Sequence, residues 1–339
     1  MHVFLQLLFT LLLLSQQIWI KSNPEFPPVS PKLVETPDFE WAIKPRFKAV
    51  KPFSYGLAAF KFNHKWGYIN KKGKVVIEAQ FDKAESFYHK GFGGKEIDAW
   101  VELKGERFLI DRKGKKVGTK YDYQVMRRVK HDREKTSEGM IGFQQGKYWG
   151  FMDKKGKILV RPAFEEIRAF SLGLAQVKKE GKWGVVDRKG RVVVNFEYDY
   201  LSFFFNGFAR VQKKGKWGFI DRTGKIIIPI RYEALQAFSG DIALFKQNDK
   251  WGYINRQGII RIKAQFDNAN NFSEGLAQVQ LGEQCGFINR KGEMVIRPQF
   301  DAGRLMFSFS DRLCPVKYHG KWGFIKHPLD IKQKKKRKK

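Results

Sequence analysis

From about residue 41 to residue 327 the chain alternates between short apolar or aromatic runs and Gly, Asn or Asp. Three kinds of run recur in a fixed order. The first reads Gly-Leu-Ala-x-Val at 173–177 and 275–279, with variants at 56–60 and 207–211. The second reads Trp-Gly-x-Ile-Asp/Asn, and the third is β-branched, as in Val75, Val76 and Ile77 or Ile226, Ile227 and Ile228. Short runs rich in Val, Ile and aromatics, bounded by turn residues, predict strands. Three of them joined by tight turns predict an antiparallel meander, so the fold class is all-β.

The pattern repeats. Trp149, Trp183, Trp217 and Trp251 stand 34 residues apart, with Cys285 in the next slot, Trp66 upstream and Trp322 downstream. A period of about 35 residues means small units that bury their faces on one another. The Trp–Gly pair sits at the same point of every unit. Trp66, Trp149, Trp183, Trp217, Trp251 and Trp322 are therefore expected as structural residues packing between units, the glycine permitting close backbone approach. The second unit is degenerate, with Arg107 at the Trp position and Phe108 at the Gly position, and its longer spacings predict inserted loops.

The turn between the second and third runs is the most regular element. Asn70, Asp111, Asp153, Asp187, Asp221, Asn255 and Asn289 each precede a Gly by three residues. A side-chain oxygen there can accept a backbone N–H two residues on, and the Gly supplies a positive φ. Seven equivalent carboxylates or amides in one turn read as caps; an active site needs a unique constellation.

The repeats are offset from the ends of the chain. The signature Ile/Val-x-x-x-Phe/Tyr that closes each third run also appears before the first complete unit, at Ile43 and Phe47, and is missing after Trp322. An open array gains nothing from this offset. In a ring, the strand near Trp41–Ile43 pairs beside the one near Trp322–Ile325 and covers an edge that would otherwise invite aggregation. The expectation is a closed eight-bladed β-propeller-like toroid with mostly three-stranded blades; the alternative is an open β-solenoid.

The run Lys-Trp-Gly-Phe-Ile-Asp-x-x-Gly-Lys at 216–225, together with Gly-Leu-Ala-x-Val, resembles the WG-repeat family, also called KWG repeats. The resemblance covers about residues 41–327. It implies bacterial tandem β-repeats, often in exported or surface proteins, with no catalytic residues and no general ligand. Unit two and Cys285 depart from the pattern.

Composition adds a partner class. The chain has 65 Lys and Arg against 34 Asp and Glu, a net charge of +31. Such an excess points to an anionic polymer, an acidic protein or an anionic membrane surface. The basic residues follow the repeat: Lys71, Lys72, Arg112, Lys113, Lys154, Lys155, Arg188, Lys189, Arg222, Arg256, Arg290 and Lys291 all lie in the Asx turn. Folding should gather them into a crown on one rim, a candidate ligand-binding surface. Lys65, Lys182, Lys216, Lys250 and Lys321 belong to the opposite rim. A solvated, merely solubilising surface is the competing reading.

Residues 1–20 hold an apolar run that resembles a signal peptide, or an uncleaved N-terminal anchor. Residues 21–40 read as a Pro-rich linker, 41–327 as the repeat domain and 328–339 as a disordered basic tail. Export to a periplasmic, cell-surface or secreted location is expected, with membrane anchoring as the alternative, and a monomer in either case. The histidines show no metal spacing, and no phosphate loop or nucleophile constellation occurs, so no enzyme, metal or cofactor is expected. Cys285 replaces a Trp, and Cys314 stands where Ala175, Ala209, Ala243 and Ala277 do in other units. Either a disulfide between the two or a pair of buried free thiols fits. The function expected is an exported, non-catalytic binding scaffold; the alternatives are a membrane-anchored interaction platform and an enzyme with an unrecognised site.

Overall fold

In a computed structural model, residues 39–89, 97–119, 136–303 and 305–331 are described. The expectations for residues 1–20, most of the linker and the lysine-rich end at 332–339 lie outside them. Eight antiparallel sheets follow one another along the chain. The fifth shows the plan: Tyr200–Leu201, Phe208–Lys213, Lys216–Asp221 and Ile226–Tyr232, hydrogen-bonded in that order.

The expected three-stranded unit is thus corrected to four strands: a two-residue strand precedes the first, second and third strands of the sequence pattern, which keep those numbers. Its origin is mechanical. After Tyr198 ends the third strand of the fourth sheet, the chain runs on through Asp199, and Tyr200 and Leu201 pair with Gln212 and Val211. The same continuation occurs at Ala49–Val50, Lys83–Ala84, Glu166–Ile167, Ala234–Leu235 and Asn268–Ala269, so these junctions are crossed by a short piece of main-chain ladder as well as by side chains. The second sheet carries an extra pairing of Tyr88–His89 with Ile97–Leu103, part of the insertion expected there.

The eighth sheet settles ring against solenoid. It consists of Leu313–Tyr318, Lys321–Lys326 and, from the other end of the chain, Trp41–Phe47, with Trp41 opposite Ile325 and Phe47 opposite Trp322. Phe324, Ile43 and Phe47 share a core cluster with Val50, Phe53 and Phe60 of the first sheet. The Ser310 hydroxyl donates to the Phe53 carbonyl at 2.7 Å across the same junction. The folded part runs four residues past the expected boundary at 327: residues 328–331 make a helical turn with Ile331 buried and Asp330 bonded to Arg312.

Core clusters lie between sheets, each drawing on two neighbours. Leu244, Tyr253 and Phe266 of the sixth sheet, for example, meet Val279 and Ile288 of the seventh. The repeated tryptophans pack against these clusters, Trp183 buried and the other five partly so. The Trp–Gly pair has a sharper explanation than burial. Trp251 faces Phe266 but Tyr253 faces Ile262, so the third strand bulges past the intervening glycine. A Cβ on Gly252 would sit 2.6 Å from the Ile262 carbonyl oxygen and 2.7 Å from the Ala264 nitrogen. The same overlap occurs at Gly67, Gly150, Gly184, Gly218 and Gly286.

Cys285 and Cys314 are free thiols, both buried in one cluster with Phe287, Phe300 and Phe309. The disulfide is not formed; the thiols are placed as core hydrophobes. Trp41 of the closing strand and Phe39 just before it pack against this cluster, edge-on to Phe300.

Candidate functional site

The Asx turns fold as expected. In each of the seven, the side-chain oxygen accepts the backbone N–H two residues on, from Lys72, Lys113, Lys155, Lys189, Thr223, Gln257 and Lys291. Strand pairing sets where the turns point. Phe208 faces Asp221 in the fifth sheet, so the Asx turn shares a rim with the loop that precedes the first strand.

The twelve basic residues expected on this rim divide into two groups. The first basic residue of most turns reaches back to the loop before a first strand. Arg188 Nη2 lies 2.8 Å from Glu138 Oε2, Arg290 Nη1 lies 2.7 Å from Asp241 Oδ1, and Lys71 Nζ lies 3.7 Å from Asp311 Oδ1. Arg222 donates to the Leu172 carbonyl at 2.6 Å and Arg256 to the Gly240 carbonyl at 2.7 Å. Glu138 also accepts the Gly173 N–H at 2.9 Å, and Asp311 the Gly56 N–H at 2.7 Å. The Arg188 guanidinium and the Gly173 and Leu172 N–H groups hold the Glu138 carboxyl below its usual range. Five of the twelve are therefore clamps, four of them from one sheet to the one before it.

Lys72, Lys113, Lys154, Lys155, Lys189 and Lys291 are different. They are exposed, and none of their ammonium groups has a hydrogen-bond or ion-pair partner among the described residues. Arg112 also lacks such a bond, its guanidinium resting near Gly56. Four further lysines of the same turn, Lys74, Lys115, Lys157 and Lys225, are exposed and unpaired as well. They follow the Gly of the turn, a recurrence readable in the sequence but left out of the expected set.

The opposite rim is chemically unlike this one. Lys65 pairs with Asp82 at 2.5 Å, and Lys182 and Lys250 pair with Asp199 and Asp267 in the same way. The lysines hold these three carboxyls below their usual range. The second oxygen of each acid caps the hairpin of the next sheet, as where Asp267 Oδ2 accepts the Gly282 N–H at 2.7 Å. Glu165, Glu233 and Asp301 cap hairpins in the same register. Three of the five lysines expected on this rim are thus neutralised, while Lys216 and Lys321 are exposed and have no partner among the described residues. Among the described residues no group of His, Cys, Asp and Glu could hold a metal ion, and no helix is long and apolar enough to cross a membrane.

No curated protein matches the chain. Among solved structures it is similar to a eukaryotic initiation factor (13% identity, TM-score 0.36, 84% of each chain). It is also similar to BamB from Moraxella catarrhalis (10%, 0.32, 88% of this chain and 94% of that one). A third likeness is to the Neurospora crassa Pan2 WD40 domain (10%, 0.34, 88% and 98%). TM-scores this low carry no argument about function. A family model decides the matter: the WG containing repeat matches residues 36–66, 66–94, 149–183, 183–217, 217–251, 251–285 and 286–322, passing over the degenerate second unit's far side. With seven tandem matches along most of its folded length, this chain belongs to the WG-containing-repeat family.

Proposed function

We propose that this protein is an exported, non-catalytic binding scaffold that captures an anionic polymer on one rim of its ring. The observation that carries the reading is the asymmetry of the rims. Lysines from separate units stand on the Asx-turn rim without partners, while on the other rim Lys65, Lys182 and Lys250 are paired with Asp82, Asp199 and Asp267 and Lys216 and Lys321 are unpaired among the described residues. Unpaired ammonium groups held by a rigid ring release counterions when a polyanion binds, and they read charge spacing without reading sequence. The apolar run near the N-terminus supports export.

Changing Lys72, Lys113, Lys155, Lys189 and Lys291 to Glu tests this, since these side chains make no contact the fold needs. The variant should keep its melting temperature and lose binding to heparin, used as the polyanion. A wild-type protein that binds neither heparin nor duplex DNA at low salt sinks the proposal. Preference for an acidic protein or for anionic vesicles over both polymers would replace the polymer by that partner.

A further inference from the structure

The repeat defines what each position should hold, so departures from it can be located. Four fall together in the fifth unit. Phe203 stands where other units have Pro52, Ala169 and Ala237, and Phe205 where they have Ser54, Ser171, Ser239, Ser273 and Ser310. The equivalence is structural: Phe205 bridges to Phe208 as each of those serines bridges to the first residue of its strand. Phe208 replaces Leu or Ile, and Arg210 replaces Ala59, Gln176, Leu244, Gln278 and Pro315. Folding needs none of these changes, because the sister units fold without them.

All four line one cleft of about 310 Å³ between the fifth and sixth sheets, completed by Phe238 and Arg256. Phe203 and Phe205 at its edge are 68% and 72% exposed. Isolated exposed apolar residues are common, but two adjoining phenyl rings at a concave site mark a contact surface. No acidic residue lines the cleft.

Arg210 is the informative member. Its Nη1 donates to the Leu235 carbonyl at 2.8 Å, and its guanidinium lies 4.5 Å from the Trp217 ring and 5.6 Å from Tyr200. Its Nε is buried without an acceptor, and Nη2 has none either. Buried donors in native proteins are almost always satisfied, so an orphaned one calls for an explanation. The Nε–Nη2 edge is the side of a guanidinium that takes a carboxylate in two parallel bonds. The Arg256 guanidinium, 5.6 Å from Phe238, adds a second positive charge at the same opening. The rings against the guanidinium are Trp217 and Tyr200, so reaching Nε requires an outward turn of Tyr200, which is 36% exposed.

We propose that this cleft binds a carboxylate carried on a single six-membered ring, the acid group on the Nε–Nη2 edge of Arg210 and a face of the ring against Phe203 and Phe205. The volume suits one or two rings. Two sources carry that chemistry, a uronic acid unit of an acidic polysaccharide and an aromatic acid. The site does not depend on the lysine rim, and a small monovalent ligand gains little from dispersed surface charge.

The test is calorimetric titration of the full chain with galacturonate and with phenylacetate, against galactose and phenylacetamide as neutral counterparts. One acidic probe should bind with one-to-one stoichiometry, its neutral counterpart at least about tenfold more weakly, since a site built for an anion rejects the analogue lacking it. Which acid binds identifies the source. Arg210→Gln should weaken binding by about tenfold or more, and Arg210→Lys should not restore it, because lysine lacks the fork. Glutamine already occupies this position in Gln176 and Gln278, so the fold tolerates it. The variant with Phe203 and Phe205 both changed to Ala should also bind weakly, and the five-lysine variant should bind as wild type does. The proposal is overturned if neither acid binds, if the neutral counterparts bind equally well, or if Arg210→Gln leaves affinity unchanged.

Discussion

Adding one methyl group at Gly252 tests the physical reason for the Trp–Gly signature. A Cβ there would lie 2.6 Å from Ile262 O, 2.7 Å from Ala264 N and 2.8 Å from Lys263 C, whereas ordinary contact starts near 3.4 Å. All three neighbours are backbone, so no side chain can rotate away. Relief requires the strand Ile260–Phe266 to move by several tenths of an ångström, which strains the pairings of Tyr253 with Ile262 and Trp251 with Phe266. Overpacking in a close-packed interior costs about 1–3 kcal/mol, and a backbone obstacle puts Gly252→Ala at the upper end, about 3 kcal/mol. For a cooperative domain of this size that lowers the melting temperature by roughly 5 °C. Gly303→Ala is the control: its φ is not positive, a Cβ there meets nothing within 4 Å, and its effect should stay within about 0.5 kcal/mol. Both proteins can be compared by urea denaturation followed by tryptophan fluorescence. If the two variants are equally stable, the glycine is not there to let the third strand pass, and the account of the signature is wrong.

Three further outcomes follow from the same geometry. Deleting residues 39–47 removes Ile43 and Phe47 from the core and bares the strand Lys321–Lys326; a loss of at least about 3 kcal/mol, or association on gel filtration, is expected, and an unchanged monomer of unchanged stability contradicts closure. His327 is buried, with Nε2 donating to the Glu274 carbonyl at 3.0 Å and Nδ1 accepting from the Leu329 N–H at 3.3 Å, and burial holds its pKa below the usual 6.5. The unfolded chain therefore binds the proton more readily, so this stabilisation is complete above pH 6.5 and declines as pH falls below it; between pH 7.5 and 5.5 the wild-type melting temperature should drop more than that of His327→Gln. Burial raises the Cys285 thiol to about 11 and Cys314 well above its ordinary value, so the native protein should react slowly with a thiol reagent and the denatured protein should show two free thiols, against none if they are bridged.

Much of this was legible in the chain because the repeat states it many times. The Asx turns were readable from side-chain chemistry alone, since Asp221 and Asn289 can cap only the turn they begin. Ring closure was readable from the offset that leaves Ile43 and Phe47 without a first and second strand. The two-residue strands were not, because Tyr200–Leu201 carries no periodic pattern and exists only through its partner. Nor was the division of the basic rim: in sequence Arg188 and Lys189 are neighbours of one charge, and only the loop carrying Glu138 separates clamp from free cation. Reversing Arg188, Arg222 and Arg256 would cut clamps as well as remove charge, so loss of binding in such a variant would not isolate the rim. The thiols stayed ambiguous because a shared cluster does not fix the separation of two sulfurs. The Arg210 cleft was hidden for another reason. Its four residues are unremarkable one by one, and they stand out only when the sister units show what each position holds elsewhere.

If the ring gathers lysines from separate units into one anion-binding rim, its binding to a polyanion must weaken steeply as salt rises. Affinity for a duplex DNA of about 20 base pairs would be measured across a series of salt concentrations, for the wild type and for a variant with Lys72, Lys113, Lys155, Lys189 and Lys291 changed to Gln. Each lysine that meets a phosphate contributes about 0.9 to the slope of log affinity against log salt. The account predicts a steep wild-type dependence that becomes shallower by at least about 2 in the variant, with no change in melting temperature. A wild-type affinity indifferent to salt, or an equal slope in the two proteins, would contradict it.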